Sequence, residues 1–162
     1  MQSKTNQTGR AVDLVPENIP EELRQRSQWL VWRLEERAGK PTKVPHIAGG
    51  VGRASATDLT TWRSFEKALQ ALQTGRYDGI GFVFSSGDPY SGVDLDDCRD
   101  PGTGELEGWA EEIVASLSGY AEASPSGKGV HIVVRGKAPN KRRGPVEAYS
   151  SERFFTMTGV KL

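Results

Sequence analysis

Asp94 and Asp96 stand one residue apart in the run Gly92, Val93, Asp94, Leu95, Asp96. On a β-strand alternate side chains share a face, so both carboxylates project to one side while Val93 and Leu95 turn to the other. Two adjacent carboxylates repel each other, and a hard divalent cation that prefers oxygen ligands, Mg²⁺ or Mn²⁺, would cancel that repulsion. Two such ions about 4 Å apart can activate an attacking hydroxyl and stabilise a leaving oxygen, the chemistry of phosphoryl transfer. An aspartate pair of this spacing is also common in solvated turns, so it needs company before it means catalysis.

A calcium loop is the nearest competitor, because Asp94, Asp96 and Glu105 occupy the first, third and twelfth places of a possible EF-hand. It fails on its other positions. Cys98 stands where an oxygen ligand is needed, Arg99 replaces the sharp-turn glycine, and Pro101 interrupts the segment.

The second candidate is the turn Ser124, Pro125, Ser126, Gly127, Lys128, Gly129, which runs directly into Val130, His131, Ile132, Val133, Val134. Its accessible backbone N–H groups could cradle a phosphate. Alternation puts His131 on the face opposite Val130, Ile132 and Val134, where it can meet a ligand. The plain alternative is a hairpin turn and a half-buried strand whose histidine bonds a neighbouring backbone. No stretch has the Walker P-loop pattern.

A third acid, Glu147, sits between Val146 and Ala148 in another short apolar run, where a carboxylate is expected to face solvent, a cation or a metal. Arg153 follows, suited either to a surface ion pair or to a phosphate clamp.

These residues need strands and helices to hold them. Pro20 favours a short helix over Glu21–Gln28, leading into a strand at Trp29–Leu34 whose tryptophans anchor the core. The glycine- and proline-rich stretch 39–56 predicts a loop or irregular hairpin carrying Lys40, Lys43 and His46. Trp62, Phe65, Leu69 and Leu72 recur at helical spacing and predict an amphipathic helix over Thr60–Thr74, ended by Gly75. Gly79–Ser85 and Ser91–Asp96, separated by a turn-rich segment, predict a β-hairpin. Trp109, Ile113, Val114 and Leu117 predict a helix over Glu107–Leu117. Short strands follow at Tyr120–Ala123, Val130–Arg135, Val146–Tyr149 and Arg153–Met157, with a basic loop among them, so the sheet is expected to be mostly antiparallel.

The 162 residues, 36% of them apolar, suit one domain with a real core. Residues 1–18 are polar and aperiodic and are expected to form a flexible arm before a domain at 19–162. The abrupt stop after Leu162 sets up the expectation of a piece of a longer protein. No run approaches the roughly 18 apolar residues that cross a bilayer, and Met1–Arg10 has no apolar leader, so a cytoplasmic, membrane-free location is expected. One cysteine and two histidines exclude an internal disulfide and a recognisable zinc pattern. The formal charge is +0, but aspartates cluster at 94–100 while Lys128, Arg135, Lys137, Lys141, Arg142, Arg143 and Arg153 lie in the last third.

In this order the motifs resemble the primase-polymerase domains of phages, plasmids and integrated elements, within the archaeo-eukaryotic primase superfamily. The matching segments span most of Pro20–Gly159: Trp29–Trp32; Lys40–Pro45; Thr61 and Trp62; Asp78–Val83; Gly92–Asp97; Ser124–His131; and Glu147–Gly159. The resemblance implies an α/β (α+β) archaeo-eukaryotic primase fold, with an N-terminal α/β lobe and an RRM-like antiparallel sheet lobe whose junction holds Mg²⁺ or Mn²⁺.

It implies that Asp94, Asp96 and Glu147 hold the metals and that His131, with Ser126, Lys128 and Arg153, binds the triphosphate. Lys40 and Lys43 would meet template or nucleotide, and Arg142 and Arg143 would track template phosphates. Superfamily members often carry a serine two residues before the motif histidine; here that place is Gly129. The implied partners are single-stranded DNA template, dNTP or NTP substrates and a helicase domain or protein.

The reaction expected is attack of a 3′-hydroxyl on the α-phosphate of a nucleoside triphosphate, in replication of a phage or mobile element. A different class of function is a non-catalytic nucleic-acid-binding replication initiator with the same fold; it would bind DNA with salt-sensitive affinity and ignore triphosphates and Mn²⁺. A metal nuclease would degrade template without nucleotide. A rolling-circle nicking enzyme would need paired histidines beside a nucleophilic tyrosine, and His46 and His131 are far apart in sequence.

Overall fold

Strands built from Trp29, Val31, Ile80, Phe82, Phe155 and Met157 bury aromatic and branched side chains at every second position, and that alternation organises the first of two sheets. In the computed structural model, which describes residues 12–162, β1 (Trp29–Arg37), β2 (Lys40–His46), β3 (Gly79–Phe84) and β9 (Arg153–Met157) form a sheet in the order β2-β1-β3-β9. Every pairing in it is antiparallel. The helix α1 (Glu21–Arg24) and the helix α2 (Phe65–Gln73) cover one face, with Leu23, Phe65, Ala68 and Ala71 against Trp29 and Phe82. On the other face Leu30, Val83 and Phe154 meet Ala54, Ile47 and Trp62 from the long connection after β2.

The second sheet contains β4 (Tyr90–Leu95), β5 (Gly119–Ala123), β6 (Val130–Arg135), β7 (Lys141–Arg143) and β8 (Val146–Tyr149), in the order β5-β6-β4-β8-β7, again antiparallel throughout. Its apolar face, carrying Leu95, Val130 and Ile132, packs on Ala110, Trp109, Ile113 and Val114 of α3 (Gly108–Ser116). Its polar face turns toward β9. There Gly92 lets the sheets touch, because a Cβ at that position would lie 2.5 Å from the Phe155 ring. The fold is mixed α+β with two antiparallel sheets and few helices.

The expected hairpin of Gly79–Ser85 with Ser91–Asp96 does not form. Both strands exist, but β3 pairs with β1 and β9 while β4 pairs with β6 and β8, so all their edges are taken by others. The turn between them hands the chain from one sheet to the other. Asp88, 4% exposed, makes that transfer rigid: it accepts from the N–H groups of Ser85 and Tyr90, from Gln28 and from the Lys137 ammonium.

Other boundaries shift for local reasons. The first helix ends at Arg24 rather than Gln28, and the strand after it runs on to Arg37. The helix expected from Thr60 starts at Phe65, where the Ser64 hydroxyl caps it by accepting from the Lys67 N–H. Stretch 39–56 opens as a regular strand despite two prolines, because β2 is an edge strand and needs only one of its sides paired. The basic loop likewise contains β7, another edge. Val15 donates to the Thr158 carbonyl and Asn18 to the Gly159 carbonyl, so residues 12–18 lie against the end of the domain; the start of the expected arm lies outside the described residues. Among the described residues no helix is long and apolar enough to cross a membrane.

Candidate active site

Register places one residue from each strand of the second sheet in a single rung. Glu122 of β5 is opposite His131 of β6, His131 is opposite Asp94 of β4, Asp94 is opposite Glu147 of β8, and Glu147 is opposite Arg142 of β7. Directly opposed residues have Cβ atoms about 5 Å apart and share a face. Five strands therefore bring three carboxylates, an imidazole and a guanidinium into one line on the polar face, toward the first sheet.

The contacts along the rung follow charge. His131 Nε2 is 3.6 Å from Asp94 Oδ1, and His131 Nδ1 is 3.7 Å from Glu122 Oε1. Arg142 Nη1 forms an ion pair with Glu147 Oε1 at 2.7 Å, and its Nη2 reaches 3.9 Å from Asp96 Oδ2. The His131 ring is buried and stacks on Phe155 of β9, with centroids 4.6 Å apart and planes 21° from parallel. One side of the imidazole is thus packed by the other sheet, and its edges face acids.

Asp96 lies one residue past β4, but its N–H still donates to the Pro145 carbonyl, which extends the ladder and keeps its carboxylate beside the rung. Burial raises the Asp94 pKa above the ordinary carboxylate range; Asp96 and Glu147 push it further up, while His131 and Lys43 oppose them. Lys43 comes from β2 in the first sheet, over the Trp32 ring at 5.5 Å. Although Lys43 is exposed at the rim, desolvation lowers its ammonium pKa, against the pull of Asp94 and Asp96.

Two adjoining cavities share Lys43, Asp94 and His131. The smaller, about 130 Å³, is completed by Asp96, Asp97, Ser124, Ser126, Lys128 and Gly129. The larger, about 250 Å³, is completed by Tyr149, Arg153 and Phe154–Thr156. The turn at the smaller cavity is locked by its serines: Ser124 Oγ accepts from the Gly129 N–H and lies 3.2 Å from Ser126 Oγ, which accepts from the Lys128 N–H. Gly127 has φ +76°, and a Cβ on Gly129 would lie 2.7 Å from the Leu95 carbonyl oxygen, so the place where superfamily members often have serine admits no side chain here.

Asp94, Asp96, His131, Ser126, Lys128, Lys43 and Arg153 line these cavities, whereas Glu147 and Arg142 adjoin Asp94 along the rung and line neither. Lys40 stays at the far end of β2, opposite Arg37, and Arg143 is exposed opposite Val146; neither lines them. Sequence reasoning missed Glu122, which is 0% exposed, and it missed the pairing of Arg142 with the acids. The signal for Glu122 was available: a carboxylate between two alanines on a strand, the same pattern that singled out Glu147.

As placed, no three acidic, histidine or cysteine side chains among the described residues form a close metal-binding group. The donor chemistry nevertheless suits a hard cation. Glu147 and Asp96 already share a cationic partner in Arg142, and Asp94 carries repulsion that a divalent ion would relieve.

No family model matches the sequence. Among curated proteins, the chain is 33% identical over 141 residues to the DNA primase-polymerase of Nitratiruptor phage NrS-1, covering 82% of this chain and 19% of that protein. The chain thus spans less than a fifth of the length of the curated relative it matches.

Proposed function

The chain belongs with the primase-polymerases, and from that premise we propose that it is the nucleotidyl-transfer domain of a DNA primase-polymerase serving a phage or mobile element. The observation that carries this reading is the rung: Asp94, Glu147 and His131 converge from separate strands beside cavities lined by Lys43, Lys128 and Arg153. The two-sheet α+β architecture supports the archaeo-eukaryotic primase fold for the whole domain.

Asp94, Asp96 and Glu147 would hold Mg²⁺ or Mn²⁺, which would neutralise phosphate charge and favour ionisation of the attacking hydroxyl. His131, Lys128 and the Ser124–Gly129 turn hold the triphosphate of the incoming nucleotide, and Arg153 approaches it from the larger cavity. The 3′-hydroxyl of a primer or initiating nucleotide attacks the α-phosphate, the bond to the β-phosphate breaks, and pyrophosphate leaves. Arg142 and Arg143, on the exposed edge strand β7, contact single-stranded template phosphates. A helicase, as a further domain or a separate protein, would supply that strand.

The test is primer extension on single-stranded template, with dNTPs or NTPs and Mg²⁺ or Mn²⁺. The expected result is metal-dependent extension that Asp94→Ala and Asp96→Ala each abolish while the domain stays folded. Salt-sensitive DNA binding with no triphosphate binding would indicate an initiator module instead, and template degradation without nucleotide would indicate a nuclease.

A further inference from the structure

The buried acid behind His131 has no part in the chemistry above. Glu122 is 0% exposed and its carboxylate is heavily used: Oε1 accepts from the Thr158 N–H at 2.9 Å, and Oε2 accepts from the Gly159 N–H at 2.8 Å and from the Tyr120 hydroxyl at 2.8 Å. Burial and the Glu122 charge push the Tyr120 phenol far above its ordinary pKa, which keeps it a donor. A charge held this firmly is a fixed reference point in the sheet. His131 Nδ1 lies 3.7 Å from Oε1, is itself buried, and has no hydrogen-bond partner among the described residues.

We propose that Glu122 is a positioning residue for the incoming nucleotide: it accepts a hydrogen bond from His131 Nδ1–H, and so aims Nε2 at the triphosphate beside Asp94. Two surfaces then fix the ring. Phe155 sets its plane by stacking, and Glu122 sets its rotation within that plane. The present separation exceeds a hydrogen bond, as is common for such contacts before substrate draws them tight. Glu122 is held by the backbone of residues 158–159, and the Gly159 Cβ position is closed off by the Val15 carbonyl, so the aim of His131 depends on how the chain closes around the end of β9.

This inference rests on the assignment of His131 to the triphosphate, and the experiment separates the two. Triphosphate affinity is measured in Mn²⁺ for the wild-type chain, Glu122→Gln, His131→Ala and the double variant, alongside their unfolding midpoints. His131→Ala is expected to weaken binding about tenfold, the size of a lost charge-assisted hydrogen bond. Glu122→Gln is expected to raise the KM for nucleotide several-fold more than it lowers kcat, and to add less than about twofold to the loss when His131 is already alanine. An unchanged affinity in His131→Ala overturns the parent assignment. A full, additive Glu122→Gln effect in the double variant overturns the positioning role alone.

Because Glu122→Gln also disturbs the bonds to Thr158 and Gly159, the wild-type ring is read directly. A nitrogen–proton correlation spectrum of His131 with bound triphosphate should show a proton on Nδ1. A bare Nδ1 sinks the proposal whatever the variants do, since two acceptors cannot bond each other.

Discussion

Arg142 and Glu147 face each other across the β7–β8 ladder and are joined by a 2.7 Å contact. The pair ties the candidate third acid to an exposed basic edge that also reaches toward Asp96. Arg142 thereby competes with any cation those acids would hold, while remaining available to a template phosphate. Arg142→Ala is expected to tighten Mn²⁺ binding several-fold, since it removes a positive charge from two of the three acids. The same variant should weaken single-stranded DNA binding and reduce the slope of log affinity against log salt by about 0.7. Titration calorimetry with Mn²⁺ and a salt series with labelled oligonucleotide check both. Weaker Mn²⁺ binding in the variant would show that the guanidinium supports the acids instead of competing for them.

Asp94 is half-buried, opposite Glu147, and its ionised form is opposed by burial before any neighbour is considered. Replacing it by its neutral isostere should separate folding from chemistry. Asp94→Asn is expected to lose at least about a thousandfold in extension, in line with removing electrostatic stabilisation of a transition state, while its urea midpoint is not lowered. A clear drop in that midpoint would mean that Asp94 is a structural acid paired with His131.

Period-two alternation made much of this site legible. It put Asp94 and Asp96 on one face, took His131 away from the apolar side of β6, and marked Glu147 as an acid that needed a partner. Helical spacing of Trp109, Ile113 and Val114 located α3. Alternation assigns faces, however, and says nothing about edges: β4 looked like the partner of β3 because a tight turn joins them, whereas buried Asp88 turns that link into a passage between sheets. Lys43 is distant from Asp94 in sequence and reaches it through the meeting of the two sheets. Lys141–Arg143 looked like a basic loop because an edge strand with exposed side chains has no apolar alternation to betray it.

Gly92 offers a direct test of that meeting of sheets. A methyl group there would sit 2.5 Å from two Phe155 ring carbons and 2.7 Å from Phe84, both parts of packed aromatic pairs. Gly92→Ala is expected to destabilise the fold by about 2 kcal/mol, within the range for overpacking a core. Since Phe155 also carries the His131 ring, nucleotide affinity should fall even where the variant is fully folded. Thermal unfolding and triphosphate titration measure the two effects. A stable variant with unaltered affinity would mean that the two sheets adjust independently of the histidine.

Away from the rung, His46 and Glu35 form a second acid–imidazole pair, 3.6 Å apart, whose facing atoms are buried and without hydrogen bonds among the described residues. Burial lowers the His46 pKa and nearby Arg33 and Arg53 lower it further, with Glu35 pulling the other way; Glu35 itself is held below the carboxylate range chiefly by its bond to Arg33. The folded protein therefore resists protonating His46 more than the unfolded chain does. As pH falls below the ordinary imidazole value near 6.5, the unfolded chain takes up the proton first, and stability declines until the depressed folded pKa is passed, where the loss levels off. His46→Gln removes this titration, so its urea midpoint should change less between pH 7.5 and pH 5, measurement points set about one unit above and about one and a half units below that value, than the wild-type midpoint does. An equal decline in both proteins would assign the acid sensitivity to other groups, and a wild-type midpoint that rises on acidification would reverse the sign of the His46 contribution.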